Sequence, residues 1–350
     1  MAVRLSDIAE AVGVKVPTVS RVLNNKPSAI RVSDRTRRRI LQTAREMGYH
    51  PSAAARALAT KRTGQIGFIM SDAIAGGWRN LYFAAYLEGV ERVCRRRGFG
   101  LNVSRYNLSD VDDFVFPKHV GERSVDGLVW TSYVEASIAS RFREFGIPCV
   151  AVGQDVETTG LIPTVASDDV SGRHQIVRYA ASLGHRRVAV SCGNSRRNAE
   201  VIDGMIANAA ADPLTAGCTI LPCQSPTGHC DYHAARPMME WWLAVPIEQR
   251  PTLIIATDQT LVEFLKELRA KGLRCPEDVS LISLCDTTLC SYAHPELTAM
   301  TCDQVDMAET ATEMLIDHLI EDKPLTTEMS KNDYPCKLIV RKSCAEISDR

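Results

Sequence analysis

The sequence predicts an α/β core built on parallel sheets, preceded by a small all-α head. Three observations carry this. From residue 64 onward, short apolar runs alternate with helical patterns, which is the signature of parallel strands joined by crossover helices. Before that point, three short segments repeat apolar residues at helical spacing. The charge also divides where the pattern changes. Residues 1–62 carry thirteen Lys or Arg against four Asp or Glu, a balance of +9, and the remaining chain carries −10.

The head comes first. Leu5, Ile8, Ala9 and Val12 fall at i, i+3, i+4 and i+7, one face of a helix that Gly13 stops. Val16 to Leu23 forms a second helix, with Val19, Val22 and Leu23 turned inward. Pro17 lies in its first turn, where a missing N–H costs nothing. The third helix runs from about Ser33 to Met47, capped by Ser33 or Asp34 and ended by Gly48, with Ile40, Leu41 and Ala44 facing inward. Two helices joined by a short glycine-containing turn form a helix-turn-helix unit, whose second helix is shaped for a major groove. A strongly basic head of this kind is the electrostatic footprint for a polyanion; a merely solvated charged face is the other reading of charge taken alone.

The core follows. QIGFIM, GLNVSR, DGLVWT, CVAVG, RVAVSC, TLIIAT and VSLISL are the strand candidates, with helices between them. Ligands of open α/β sheets bind beyond the carboxyl ends of the strands.

The 350 residues have 45% hydrophobic and 24% charged residues and a net charge of −1, an ordinary globular composition with length for two or three domains. That excludes a disordered, collagen-like or disulfide-stapled chain. No apolar run is long enough to span a membrane. Arg4, Asp7, Glu10 and Lys15 leave no room for a secretory signal, so a cytoplasmic protein is expected. The twelve cysteines include no CxxC pair. The nearest cluster, Cys218, Cys223, His229, Cys230 and His233, lacks the paired short spacings of structural zinc, so free thiols, no metal and no cofactor are expected. No Gly-rich phosphate loop or GxSxG elbow occurs, and no enzyme is expected.

LSDIAEAVGVKVPTVSRVLNN, then VSDRTRRRILQTAREMGYHPSAAARALATKRTGQIG, resembles the head of the lactose-repressor/purine-repressor family. RSVDGLVW, IPCVAVG, SLGHRRVAV, ATDQTLVEFLKELRAKGLRCPEDVSLIS, PELTAMTCDQ and KLIVRKS continue the resemblance in order to the end of the chain. It implies a helix-turn-helix DNA-binding domain over 1–50, a hinge helix and linker over 51–62, and an effector-binding and dimerisation core over 63–345. The core is implied to hold two periplasmic-binding-protein-like subdomains, 63–160 with 292–326 and 161–291 with 327–345, joined by three chain crossings.

The resemblance further implies a transcriptional regulator, a repressor, that binds a pseudo-palindromic double-stranded operator as a homodimer. A small molecule in the cleft, a sugar or sugar derivative, would control its affinity. Base reading is implied for Val16, Pro17 and Arg21: Arg can bond a guanine edge twice, and Val and Pro offer apolar contact. Leu5, Ser6, Thr18, Ser20 and Asn24 match positions that contact DNA, the last three through phosphates. Lys15 replaces a usual capping Ser and either reaches a phosphate or leaves a weaker helix start. In PSAAARALA, Ala55 and Leu58 match the hinge helix, with Leu58 as a minor-groove wedge or else a buried leucine of an ordinary linker helix.

For the effector, Tyr82 and Phe83 match an aromatic pair lining the cleft, although Phe83 equally suits packing at a helix start. Thr131, Ser132, Asp168, Asp258 and Gln259 stand at strand ends, where they bind a polyol or serve as turn groups. Two departures bear on the ligand. Val201 replaces an Arg, leaving Arg197 nearby on the preceding loop, and Cys285 replaces an Asp, with Asp286 next to it. An insert, AIAGGWR, follows Asp72 and brings Trp78 and Arg79, a stacking face and an anion partner, or else a surface loop. Two alternatives stay open: a family regulator whose core no longer binds effector and acts only as a dimer clamp, and a sugar-binding protein with no role at DNA.

Overall fold

The computed structural model describes residues 3–23, 32–49, 57, 61–74, 76–131, 134–153, 158, 160–192, 196–224 and 232–347. The chain forms two compact units, Met1–Gly64 and Gln65–Arg350.

The first unit holds α1 (Leu5–Val12), α2 (Val16–Leu23) and α3 (Asp34–Glu46). Gly13 takes a left-handed φ of 72°, which ends α1 and turns the chain into α2. Ser33, one of the two expected caps, receives the Thr36 N–H on its Oγ at 3.2 Å. Ile8, Ala9, Val12, Val19, Val22, Ile40 and Ala44 form the shared core. Each fully buried aliphatic side chain contributes roughly 1.5–3 kcal/mol, enough to hold three short helices that would be marginal alone.

The second unit contains two six-stranded sheets. The first has β1 (Gln65–Ser71), β2 (Gly100–Tyr106), β3 (Gly127–Thr131), β4 (Cys149–Val152), β5 (Thr164–Ser167) and β11 (Lys331–Tyr334), in the order β11-β5-β4-β3-β1-β2. The second has β6 (Arg187–Cys192), β7 (Thr219–Gln224), β8 (Leu253–Ala256), β9 (Ser280–Ser283), β10 (Thr298–Thr301) and β12 (Lys337–Ile339), in the order β12-β10-β9-β8-β6-β7. Every pairing is parallel except β10 with β12. All seven strands expected from apolar runs are present. The five others are short, polar or interrupted by proline.

The chain passes between sheets later than expected. β5 still pairs with β4, so the first passage follows Ser167 rather than residue 160. β10 pairs with β9, so the second follows Thr301 rather than 292. β11 pairs with β5, so the third follows Tyr334 rather than 326. In each case one more strand finds its hydrogen bonds in the sheet the chain is leaving.

A long helix, α4 (Leu81–Arg97), packs on α12 (Gln304–Glu321), which also covers β3, β4 and β5. Gly89 permits this approach: a Cβ there would lie 2.4 Å from the Val305 carbonyl oxygen. Arg96 and Arg97 then reach Glu313 and Asp317 across the helix pair, with Arg96 Nη2 to Glu313 Oε1 at 2.9 Å and Arg97 Nη2 to Asp317 Oδ1 at 2.8 Å.

Candidate functional site

The head offers an outward helix. In α2, Val19 and Val22 are buried while Lys15, Val16 and Pro17, at its start, are exposed, Val16 to 41%. An apolar side chain left this open on a small basic unit is available to a partner surface. Thr18, Ser20 and Arg21 are half-buried on the same helix. Ser6 is exposed at the start of α1 and donates from Oγ to Asp7 Oδ1 at 3.0 Å, while Leu5 packs partly into the core. Asp7 also accepts the Arg4 backbone N–H at 2.9 Å, and that bond and the Ser6 hydroxyl lower its pKa. Asn24, Ala55 and Leu58 lie outside the described residues.

In the second unit, a group of polar side chains gathers where the chain passes between the sheets. α4 begins with Asn80 accepting the Tyr82 N–H at 3.2 Å. Its first turns carry Tyr82, Phe83 and Tyr86 as an aromatic cluster, with Tyr82 edge-on to both Phe83 and Tyr86. The Tyr82 and Tyr86 hydroxyls lie 3.1 Å apart, and burial raises both phenol pKa values. Tyr86 approaches Gly153, at the end of β4, where a Cβ would meet its hydroxyl at 3.2 Å and Thr131 Oγ1 at 3.7 Å. Thr131 Oγ1 is buried without a hydrogen-bond partner among the described residues.

After β5, Asp168 and Asp169 divide the work. Asp168 caps the helix α7 (Asp169–Ser182), accepting the Ser171 N–H at 3.1 Å, and its pKa is lowered by its bonds to Ser171. Asp169 turns to the passage: Ser167 Oγ donates to its Oδ1 at 2.5 Å and Cys336 Sγ approaches the same oxygen at 3.7 Å. Arg173 faces Asp169 Oδ2 at 3.6 Å. Ser167, Asp169, Cys302 and Cys336 therefore join Tyr82 in this group. None of these four was singled out from the sequence, and the one available signal was the Asp-x-x-Ser cap, which assigns Asp168 and leaves Asp169 free.

Other expected residues lie differently. Trp78 is half-buried, its ring tilted by 38° against Phe68 with centroids 6.0 Å apart, so the inserted loop feeds its ring into the core. Arg79 and Asp72 are exposed. Arg105 holds that loop, donating to the Asp72 and Ile74 carbonyls at 2.6 and 3.1 Å.

Asp258 is buried at the start of α10 (Asp258–Ala270). It accepts from the Thr287 hydroxyl, from Cys285 Sγ at 3.4 Å and from the Gln259 N–H at 2.8 Å. Asp286 is paired with Arg341. The carboxylates of Asp258 and Asp286 are thus engaged within the protein, and Cys285 is bonded to Asp258. Gln259 lies beside Asp258 on α10, and Val201 packs partly into the core. Ser132 and the side chain of Arg197 lie outside what the structure describes, as do His229 and Cys230, whereas Cys218 and Cys223 are free thiols, Cys223 buried and Cys218 half-buried. Among the described residues no group of three metal-ligating side chains occurs, and no helix is long and apolar enough to cross a membrane.

A family model described as bacterial regulatory proteins, lacI family, matches residues 4–52, and one described as a periplasmic binding protein-like domain matches 177–344. The chain is similar to catabolite control protein A of Priestia megaterium, 24% identical over 98% of this chain and 99% of that one. It is 27% identical to the HTH-type transcriptional repressor PurR of Escherichia coli O139:H28, over 98% and 97%. Among solved structures, a lac repressor dimer bound to operator and the anti-inducer ONPF superposes with a TM-score of 0.81 at 21% identity, covering 99% of this chain and 100% of that one. A complex of the transcriptional regulator CelR with cellobiose gives 0.66 at 23% identity, covering 97% and 99%.

Proposed function

Because the chain belongs to the lacI family of bacterial regulatory proteins, we propose that it reads its operator through α2, with Val16, Pro17 and Arg21 at base edges. Thr18, Ser20 and Asn24 hold the phosphates and set the register, Lys15 reaches a phosphate, and Leu5 and Ser6 add further DNA contacts from the start of α1. It is a DNA-binding transcriptional regulator that acts as a homodimer. The observation that carries this reading is the exposed start of α2 on a unit with a balance of +9. Ala55 and Leu58 in the hinge segment approach the minor groove between the two half-sites, with Leu58 as the wedge.

The effector site is the group beside the passages between the sheets. Tyr82, Phe83 and Tyr86 supply an apolar face with hydroxyls, and Thr131 Oγ1 is a buried group awaiting a partner. That combination suits a polyol ring, so a sugar or sugar derivative is the favoured class. Asp72, Trp78, Arg79 and Asp168 are more remote candidates, and Ser132 and Arg197 are carried by the family resemblance alone. Asp258, Gln259 and Asp286 support the site's walls rather than the ligand, because the two carboxylates already have partners. Effector binding changes operator affinity only through unequal affinity for the two arrangements of the core.

Genomic footprinting with the purified full-length chain tests the DNA reading. A protected pseudo-palindrome is expected, and protection without sequence preference would overturn it. A thermal-shift screen with sugars, sugar acids and nucleobases tests the effector reading, since a true effector stabilises as RT ln(1 + [L]/Kd). No shift with any of them would favour a core that serves only as a dimer clamp, the reading motivated by Val201 and Cys285.

A further inference from the structure

The pairing that closes the second sheet sets two thiols face to face. β10 and β12 run antiparallel with Ala299 opposite Ile339, Met300 opposite Leu338 and Thr301 opposite Lys337. Continued one step beyond the ladder, the same register brings Cys302 opposite Cys336. Directly opposed residues of an antiparallel pair have Cα atoms about 4.5–5.5 Å apart, inside the span of roughly 4.4–6.8 Å that a disulfide bridges. The two free thiols influence each other's ionisation, Cys302 shifted down and Cys336 up. They are 7% and 6% exposed.

Their place in the chain matters as much as their distance. Cys302 lies on the passage from β10 to α12, and Cys336 on the passage from β11 to β12. These are two of the three points where the chain moves from one sheet to the other. Cys336 is also wedged against α7, where a Cβ at Gly172 would meet its Cβ at 2.6 Å.

We propose that Cys302 and Cys336 form a reversible disulfide that staples these two passages, giving the regulator a second input from hydroperoxides. The Cys302 thiolate attacks the peroxide oxygen, breaking the O–O bond. It becomes a sulfenic acid, and the alcohol or water leaves after taking a proton. The Cys336 sulfur then displaces hydroxide from the Cys302 sulfur and gives up its own proton, so one water is released and the S–S bond forms. A dithiol restores both thiols by exchange.

Cys302 is suited to the first role. Its pKa is lowered, chiefly by the Cys336 thiol, whereas burial raises Cys94 and Cys223 to about 12 and Cys290 and Cys344 to about 11. Tyr82 and Asp169 border the pair, so the staple would stiffen the wall of the effector group and oppose sliding of one sheet past the other.

The test uses the full-length chain, reduced, freed of reductant and exposed to a small excess of hydrogen peroxide before denaturing alkylation. Peptide mapping without reduction should recover a linked pair joining Cys302 to Cys336, lost on dithiothreitol treatment and absent from C302S and C336S. Oxidation should also raise the thermal midpoint of the wild type and not that of C336S. Recovery of both residues alkylated, or joined to other cysteines, would overturn the proposal. An unchanged midpoint with the bond formed would overturn its role as a staple. Both readouts follow sulfur chemistry without any effector, so they fail independently of the sugar-site reading.

Discussion

Arg341 grips Asp286 with both arms of its guanidinium, Nη1 to Oδ1 and Nη2 to Oδ2 at 2.8 Å each. The pair is only 17% and 16% exposed, and Nη1 also donates to the Leu297 carbonyl at 2.7 Å. Asp286 follows β9 and Arg341 follows β12, so the bond ties the sheet's last strand to its interior. Removing either partner leaves the other poorly solvated, and each alanine variant is expected to lose about 2–3 kcal/mol. The double variant should lose clearly less than the sum, a coupling of about 1 kcal/mol or more by equilibrium urea unfolding. Additive losses would contradict the pairing.

Gly89→Ala tests the contact of α4 with α12. The added methyl would lie 2.4 Å from the Val305 oxygen and 2.7 Å from the Ala308 Cβ. Overpacking costs about 1–3 kcal/mol, more than the helix gains by losing a glycine, roughly 1 kcal/mol. The thermal midpoint should fall by several degrees. A rise would mean that the helices separate freely.

His185 predicts an acid limb of stability. It is buried, its Nδ1 lies 2.9 Å from Thr252 Oγ1, and burial pulls its pKa down to about 4. A folded value below the free value of about 6.5 means that the unfolded chain binds more protons between these pH values. The contribution is complete above pH 6.5 and lost as the pH falls towards 4, on the order of 2–3 kcal/mol. His185→Gln should flatten the loss of urea stability over that window; an unchanged slope would assign it to other groups.

Arg21→Ala is expected to cost about 1–3 kcal/mol of operator affinity and to relax preference at one base position. Binding titrations against a set of singly substituted operators read both effects. Equal loss on every sequence would reassign Arg21 to a phosphate.

How much was legible in the sequence follows from what determines each element. QIGFIM, GLVWT and LIIA are strands because their own side chains demand burial on both faces, so they are readable in isolation. TVAS, TAMT and KNDY are strands because a neighbour offers them hydrogen bonds, and nothing in four small or polar residues announces it. TILPCQ carries Pro222, a poor strand residue by itself. In the head, spacing and caps sufficed, because three short helices share one core.

The site was harder. Asp168 and Asp169 are adjacent acids that local pattern barely separates, yet one caps a helix and the other serves the passage. Trp78 offered a free ring in sequence and packs at a tilt against Phe68 in the fold. Cys302 and Cys336 lie far apart in the chain, and only the strand register brings them opposite each other.

The last two strands have a consequence for synthesis. β11 and β12 each border a different sheet, and both come from one short stretch near the end of the chain. On the ribosome, β5 and β10 are therefore open edges until that stretch emerges, and an open edge is a template for pairing with other chains. A chain cut short before Lys331 would carry a head with its own core, attached to two sheets that each lack an outer strand. Such fragments should be cleared or aggregate rather than dimerise, which would keep damaged copies from occupying operators.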